Sequence, residues 1–176
     1  IPEDREILFV PDFFLGSYVA RVTGRPIRVW AGECHVHAAI SPERIRRLLE
    51  QYPQAEFLVH PECGCSTSCM YLAAAGDIPA ERVQILSTGG MLRRVVASAA
   101  RQFVVATETG ILHPLRNRYP EREFIAADEE AVCHFMKRIT LEKVLRSLQE
   151  NVHRVEVPPE LAGPARRAIQ RMLEVA

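Results

Sequence analysis

The chain has 176 residues, 48% hydrophobic and 25% charged, with 22 basic side chains balancing 22 acidic ones. That is the make-up of a folded globular protein and excludes an intrinsically disordered chain. With the charges balanced and the arginines spread along the sequence there is no electrostatic footprint for a phosphate backbone, and no apolar run is long enough to cross a bilayer, so neither nucleic acid nor membrane is an expected partner.

The first residues, IPEDREILF, carry neither a basic n-region nor a signal-like apolar stretch, which leads to a cytoplasmic expectation. From there short apolar runs alternate with helical patterns. ILFV (7–10) precedes a helix around Leu15 to Val22, and IRVW (27–30) precedes a helix from about Pro42 to Gln51, for which Ser41 is a ready N-cap. FLVH (57–60) precedes a helical segment near Met70 to Ala75, VQIL (83–86) a helix from about Met91 to Ala99, and FVVA (103–106) a short helix near Leu112 to Arg118. EFIA (123–126) is the last candidate strand. Thr140 caps a helix with the stripe Leu141, Val144, Leu145, Leu148, and the pair Pro158-Pro159 opens a final one bearing Leu161, Ala165, Ile169, Met172 and Leu173. Strands of four or five apolar residues separated by helices predict an α/β fold with parallel sheets.

In such folds ligands bind beyond the carboxyl ends of the strands, so the loops that follow strands are where chemistry belongs. Nearly all of them here are polar. AGECHVH after IRVW holds Cys34, His35 and His37; after FLV come His60, Glu62, Cys63, Cys65 and Cys69. Ser87-Thr88-Gly89-Gly90 and Thr107-Glu108-Thr109-Gly110 each open a helix, and a further loop ends at Cys133. A helix N-terminus with two hydroxyls suits a carboxylate or phosphate, although Ser and Thr also cap helices with no ligand present. His60 and Glu62, one residue apart at a strand end, point the same way and suit an acid/base pair or metal ligation, or else a locally satisfied histidine. Five cysteines, an odd number without a secretion signal, argue against a disulfide framework. C-x-C-x3-C at 63, 65 and 69 offers three thiolates to an iron-sulfur cluster or to zinc, or three buried thiols.

Six collinear stretches, PDFFLGSYVARVTG (11–24), WAGECHVH (30–37), LVHPEC (58–63), STGGM (87–91), VATETGILH (105–113) and AVCHFMKRITLEKVLRSL (131–148), resemble the quinolinate synthase family. CGCSTSC resembles the longer form found in some bacterial lineages. The resemblance implies three similar α-β-α layers around a pseudo-threefold axis, each giving one cysteine to a 4Fe-4S cluster. This chain then holds one complete layer domain, part of a neighbouring one and C-terminal helices. Residues 1–40 are expected to be the remainder of the middle domain, 41–130 the third domain, and 131–176 the cluster-cysteine loop and C-terminal helices, with the N-terminal domain absent.

Cys34 and Cys133 match the second and third cluster ligands. His37, His60 and Glu62 match active-site residues, with His60 or Glu62 moving protons. Ser87 and Thr88, together with His60 and Glu62, match the substrate-binding set, and Met136 borders the cluster pocket. The implied chemistry is condensation of iminoaspartate with dihydroxyacetone phosphate to quinolinate in NAD biosynthesis, with an L-aspartate oxidase upstream. Without the first ligand this chain by itself is expected to be incomplete. The rival expectation is a non-catalytic metal-binding or redox-sensing module built on Cys63, Cys65 and Cys69. A metal-free phosphate-binding protein leaves the cysteines without a role.

Overall fold

The computed structural model describes residues 1–66, 69–70 and 79–175. It divides into two compact units, Ile1–Cys133 and His134–Ala176. The expected helix from Met70 to Ala75 lies mostly outside the described residues.

In the first unit β1 (Ile7–Phe9) and β2 (Ile27–Val29) pair in parallel as a two-stranded sheet, linked by helix α1 (Phe13–Thr23). Asp12 caps α1 by accepting the Leu15 N–H at 2.7 Å. Gly24 ends it in the left-handed region at φ 65°, a conformation glycine adopts without a Cβ penalty. After β2 the chain passes so close to the Pro11 carbonyl that a Cβ at position 32 would collide with it, which is why glycine stands there. The short helix α2 (His35–Ala38) follows at once. One turn is too brief to leave a periodic signal, and AGECHVH reads as loop from sequence.

The second sheet has four parallel strands in the order β4-β3-β5-β6: β3 (Glu56–Val59), β4 (Val83–Ile85), β5 (Gln102–Ala106) and β6 (Glu123–Ala126). Strand side chains alternate, and the two faces bury different partners. Phe57, Val59, Val104 and Ala106 pack with Ile45 and Leu49 of α3 (Pro42–Gln51). Leu58, Phe103, Val105, Phe124 and Ala126 pack with Met91 and Val95 of α4 (Thr88–Ala97) and with Leu112 and Leu115 of α5 (Leu112–Arg118). Burial on both faces explains why these strands read as unbroken apolar runs. The result is the expected three-layer α-β-α architecture. Ser41 caps α3 as expected, accepting the Arg44 N–H at 3.2 Å.

Glu56, buried at the start of β3, ties the sheet to the end of α4 by pairing with Arg94 and accepting the Ser98 hydroxyl at 2.7 Å. A buried carboxylate needs such partners, because the cost of removing it from water is otherwise unmet. In the second unit α6 (Leu141–Glu150) and α7 (Pro159–Val175) are helices as expected, α6 capped by Thr140. Their apolar residues, among them Leu141, Leu148, Ile169 and Leu173, face solvent in this chain.

Candidate active site

From β3 the chain crosses to β4 on one side, and β5 then lies on the other side of β3. The crevice between the carboxyl ends of β3 and β5 is thus the topological switch point, where open α/β sheets bind ligands. The loops leaving these two strands carry His60 to Glu62 and Thr107 to Glu108. They are stitched together by the His60 N–H donating to the Ala106 carbonyl at 3.1 Å.

Into the same crevice α2 delivers His37. The helix is anchored beneath the β3 loop by the Gly64 N–H donating to the His37 carbonyl at 3.1 Å. The His37 ring is buried, and its Nε2 shares a 2.8 Å hydrogen bond with the buried Thr107 hydroxyl. Its Nδ1 lies 3.2 Å from Glu62 Oε2, close but without hydrogen-bond alignment, so this buried nitrogen stands unpartnered beside a carboxylate. The His60 ring stacks on that of His37, centroids 4.6 Å apart and planes within 10°. His60 Nδ1 accepts the Glu62 backbone N–H at 3.3 Å. In a neutral imidazole that acceptor role places the proton on Nε2, which is then a donor.

Burial pushes the pKa of both histidines below the ordinary value of 6.5. For His60 the neighbouring His37 adds to the lowering. Nearby carboxylates offset part of it: Asp12 and Glu108 for His37, Glu62 and Asp12 for His60. The rings are therefore neutral near pH 7. An unfolded chain takes up protons near the ordinary histidine value while the folded chain resists them, so these groups make stability fall as pH drops through about 6.5 and leave it level above. Thermal melts of the metal-free protein should show that decline, weakened by His60→Gln. A melting temperature that stays constant from about pH 7.5 to 5.5 would exclude it.

Cys34, His37 and Glu62 each present a ligand atom, all within 4.8 Å of one another. Cys34 caps the entry to α2, and its thiol is free and half-buried. Cys133 is also free and half-buried, and both cysteines pack on the core cluster that covers one face of the sheet. Among the described residues the donor group that could hold a metal is Cys34, His37 and Glu62, and Cys133 is not part of it; a free, partly accessible thiol beside a buried imidazole is a donor pair that fits iron or an iron-sulfur group.

The C-x-C-x3-C stretch is placed differently. Cys63 and Cys65 are joined in a disulfide, Cα atoms 5.2 Å apart, and are fully buried. Burial pushes the Cys69 thiol up to about 12, so it remains protonated at neutral pH. Without a metal, none of the three is a free thiolate at neutral pH. Ser87 accepts the Gly90 N–H at 3.2 Å as the cap of α4, and Ser87 and Thr88 are exposed. They sit at the end of β4, beside β3, and are not part of the His37, His60, Glu62 cluster. Met136 lies on a 3-10 turn of the second unit and is exposed. Thr107 and Asp12 carry no individual role in the sequence reading. Asp12 is legible as a helix cap, but its second contact, to the Cys34 N–H at 3.3 Å, spans 22 residues.

The model of the quinolinate synthetase A protein family matches residues 1–174. The chain belongs to that family. It is 54% identical over 175 residues to a quinolinate synthase of Thermus thermophilus, covering 99% of this chain and 54% of the relative. It is 53% identical over 176 residues to a quinolinate synthase of Mycobacterium tuberculosis, covering 99% of this chain and 50% of the relative. The chain thus spans about half the length of the curated relatives it matches. The matched range includes all six sequence stretches. No helix among the described residues is long and apolar enough to cross a membrane.

Proposed function

We propose that this chain is the part of a quinolinate synthase that holds two of three cysteine ligands of a 4Fe-4S cluster, Cys34 and Cys133, and most of its proton-handling groups. The substrates are iminoaspartate, supplied by an upstream L-aspartate oxidase, and dihydroxyacetone phosphate, which condense to quinolinate with loss of phosphate and water in cytoplasmic NAD biosynthesis. The observation that carries the reading is the convergence of Cys34, His37 and Glu62 within 4.8 Å at the switch point of the sheet. When bound through three thiolates, the cluster supplies a Lewis acid at its open iron.

The remaining work falls to the chain's own residues. Glu62 is only half-buried and stands against two neutral histidines, so its carboxylate can take a proton from a carbon acid and return it to a departing hydroxyl. His60, neutral and carrying its proton on Nε2, donates to a substrate carboxylate or carbonyl without itself ionising. His37 is fixed by Thr107 and by its stack with His60, and it holds that ring in place. Ser87, Thr88 and the start of α4 offer hydroxyls and the positive helix end to the substrate phosphate or carboxylate.

The zinc-binding or redox-module reading rests on Cys63, Cys65 and Cys69. A disulfide between the first two and a buried neutral thiol at the third weigh against the zinc reading. The test is an assay of the intact protein, reconstituted anaerobically with iron and sulfide and given dihydroxyacetone phosphate and enzymatically generated iminoaspartate. Quinolinate formation that depends on reconstitution is the expected result. A fully reconstituted protein that forms none would refute the proposal.

A further inference from the structure

Two carboxylates in this chain make the same four-part pattern. Asp12 follows β1, and Cys34 follows the neighbouring parallel strand β2. Glu108 follows β5, and Cys133 follows its parallel neighbour β6. One oxygen of Asp12 accepts the Leu15 N–H at 2.7 Å, closing its own turn, and the other accepts the Cys34 N–H at 3.3 Å. One oxygen of Glu108 accepts the Gly110 N–H at 2.7 Å, again its own turn, and the other accepts the Cys133 N–H at 3.3 Å. The residue after each carboxylate completes the match. Phe13 N–H donates to the carbonyl of Gly32 at 2.7 Å, and Thr109 N–H to that of Ala131 at 2.9 Å, in each case two residues before the cysteine. Both carboxylates are buried, Asp12 at 3% and Glu108 at 9% exposure.

We infer that Asp12 and Glu108 are equivalent positioning residues, each a two-oxygen clamp that fixes the backbone of one cluster cysteine against the turn that follows the adjacent strand. The inference rests on the reading of Cys34 and Cys133 as ligands. It adds the groups that aim them. A buried carboxylate that accepts two backbone N–H groups makes charge-assisted bonds, stronger than neutral ones, and spends both oxygens on a fixed geometry. The Cys N–H is thereby satisfied and the residue's backbone orientation is set, which leaves the side chain as the only free direction of the loop. Residues that orient a ligand govern metal retention without touching the metal. Two such clamps, 96 residues apart in sequence (108 − 12) and differing in side-chain length, produce the same hydrogen bonds at the ends of separate strand pairs. Ordinary capping explains the 2.7 Å bonds but not the 3.3 Å bonds to cysteine.

The test uses the intact protein, reconstituted anaerobically with iron and sulfide and then challenged with a chelator. Iron release is followed by loss of visible charge-transfer absorbance, and the melting temperature of each apoprotein is measured alongside. Asp12→Ala and Glu108→Ala should release iron about 10- to 100-fold faster than the parent. Asp12→Asn and Glu108→Gln, with one acceptor oxygen left for the turn, should fall between. These conservative variants decide the matter if the alanine variants fail to fold. Ser41→Ala, which removes a helix cap bonded to the Arg44 N–H and not to a cysteine, should lower the melting temperature while releasing iron at the parental rate. The clamp is overturned if the Asp12 and Glu108 variants release iron no faster than Ser41→Ala while Cys34→Ser and Cys133→Ser fail to hold a cluster. If the two cysteine variants hold iron like the parent, the ligand reading itself falls, and the clamp with it.

Discussion

Replacing Glu62 by Gln should lower kcat by about 10²- to 10⁴-fold with little change in KM, the range lost when a positioned proton-transfer group is removed. The amide keeps the size and the hydrogen-bonding shape of the side chain but cannot accept a proton at neutral pH. Glu62 is only half-buried, and its contacts to His37 and His60 are 3.2 and 3.8 Å without good alignment, so little folding energy rests on it. Stability should therefore be almost unchanged, which separates a chemical role from a structural one. Steady-state kinetics and a thermal melt on the same preparation check both halves. A Glu62→Gln protein that turns over at the parental rate would remove Glu62 from the chemistry. Turnover lost in step with a large drop in melting temperature would make it a structural group instead.

The second large effect concerns the cysteines. Cys34→Ser and Cys133→Ser should each abolish both the cluster absorbance and quinolinate formation, since a serine hydroxyl is a far poorer ligand for iron than a thiolate. Cys63→Ser with Cys65→Ser should leave the cluster in place, because those sulfurs are bonded to each other in the core. Loss of the cluster in the second pair and its survival in the first would reverse the assignment. The contrast is sharp because spacing alone favours the other set: three cysteines within seven residues make a more conspicuous ligand motif than two that are 99 residues apart (133 − 34).

That contrast also marks how far the sequence could be read. The strands of the second sheet are legible because burial on both faces turns them into apolar runs such as FLV at 57–59 and FVVA at 103–106. Ser41 and Thr140 announce their helices because capping is local chemistry. The convergence of His37 with Thr107 is not legible, since it joins residues 70 apart through the crossing order of the strands. Helix α2 escapes notice because four residues carry no period. The double use of Asp12 and Glu108 is hidden for a related reason: the local half of each clamp looks like ordinary capping, and only the fold brings the cysteine N–H to the other oxygen. The disulfide of Cys63 and Cys65 depends on burial and backbone path as much as on spacing.

The most direct test of the account is the metal that the intact protein keeps. After anaerobic reconstitution and desalting, the assignment of Cys34 and Cys133 predicts iron and acid-labile sulfide in equal amounts, with the spectroscopic signature of a 4Fe-4S cluster. A single equivalent of zinc, retained with no iron and no labile sulfide, would contradict it and turn Cys34, His37 and Glu62 into a mononuclear site.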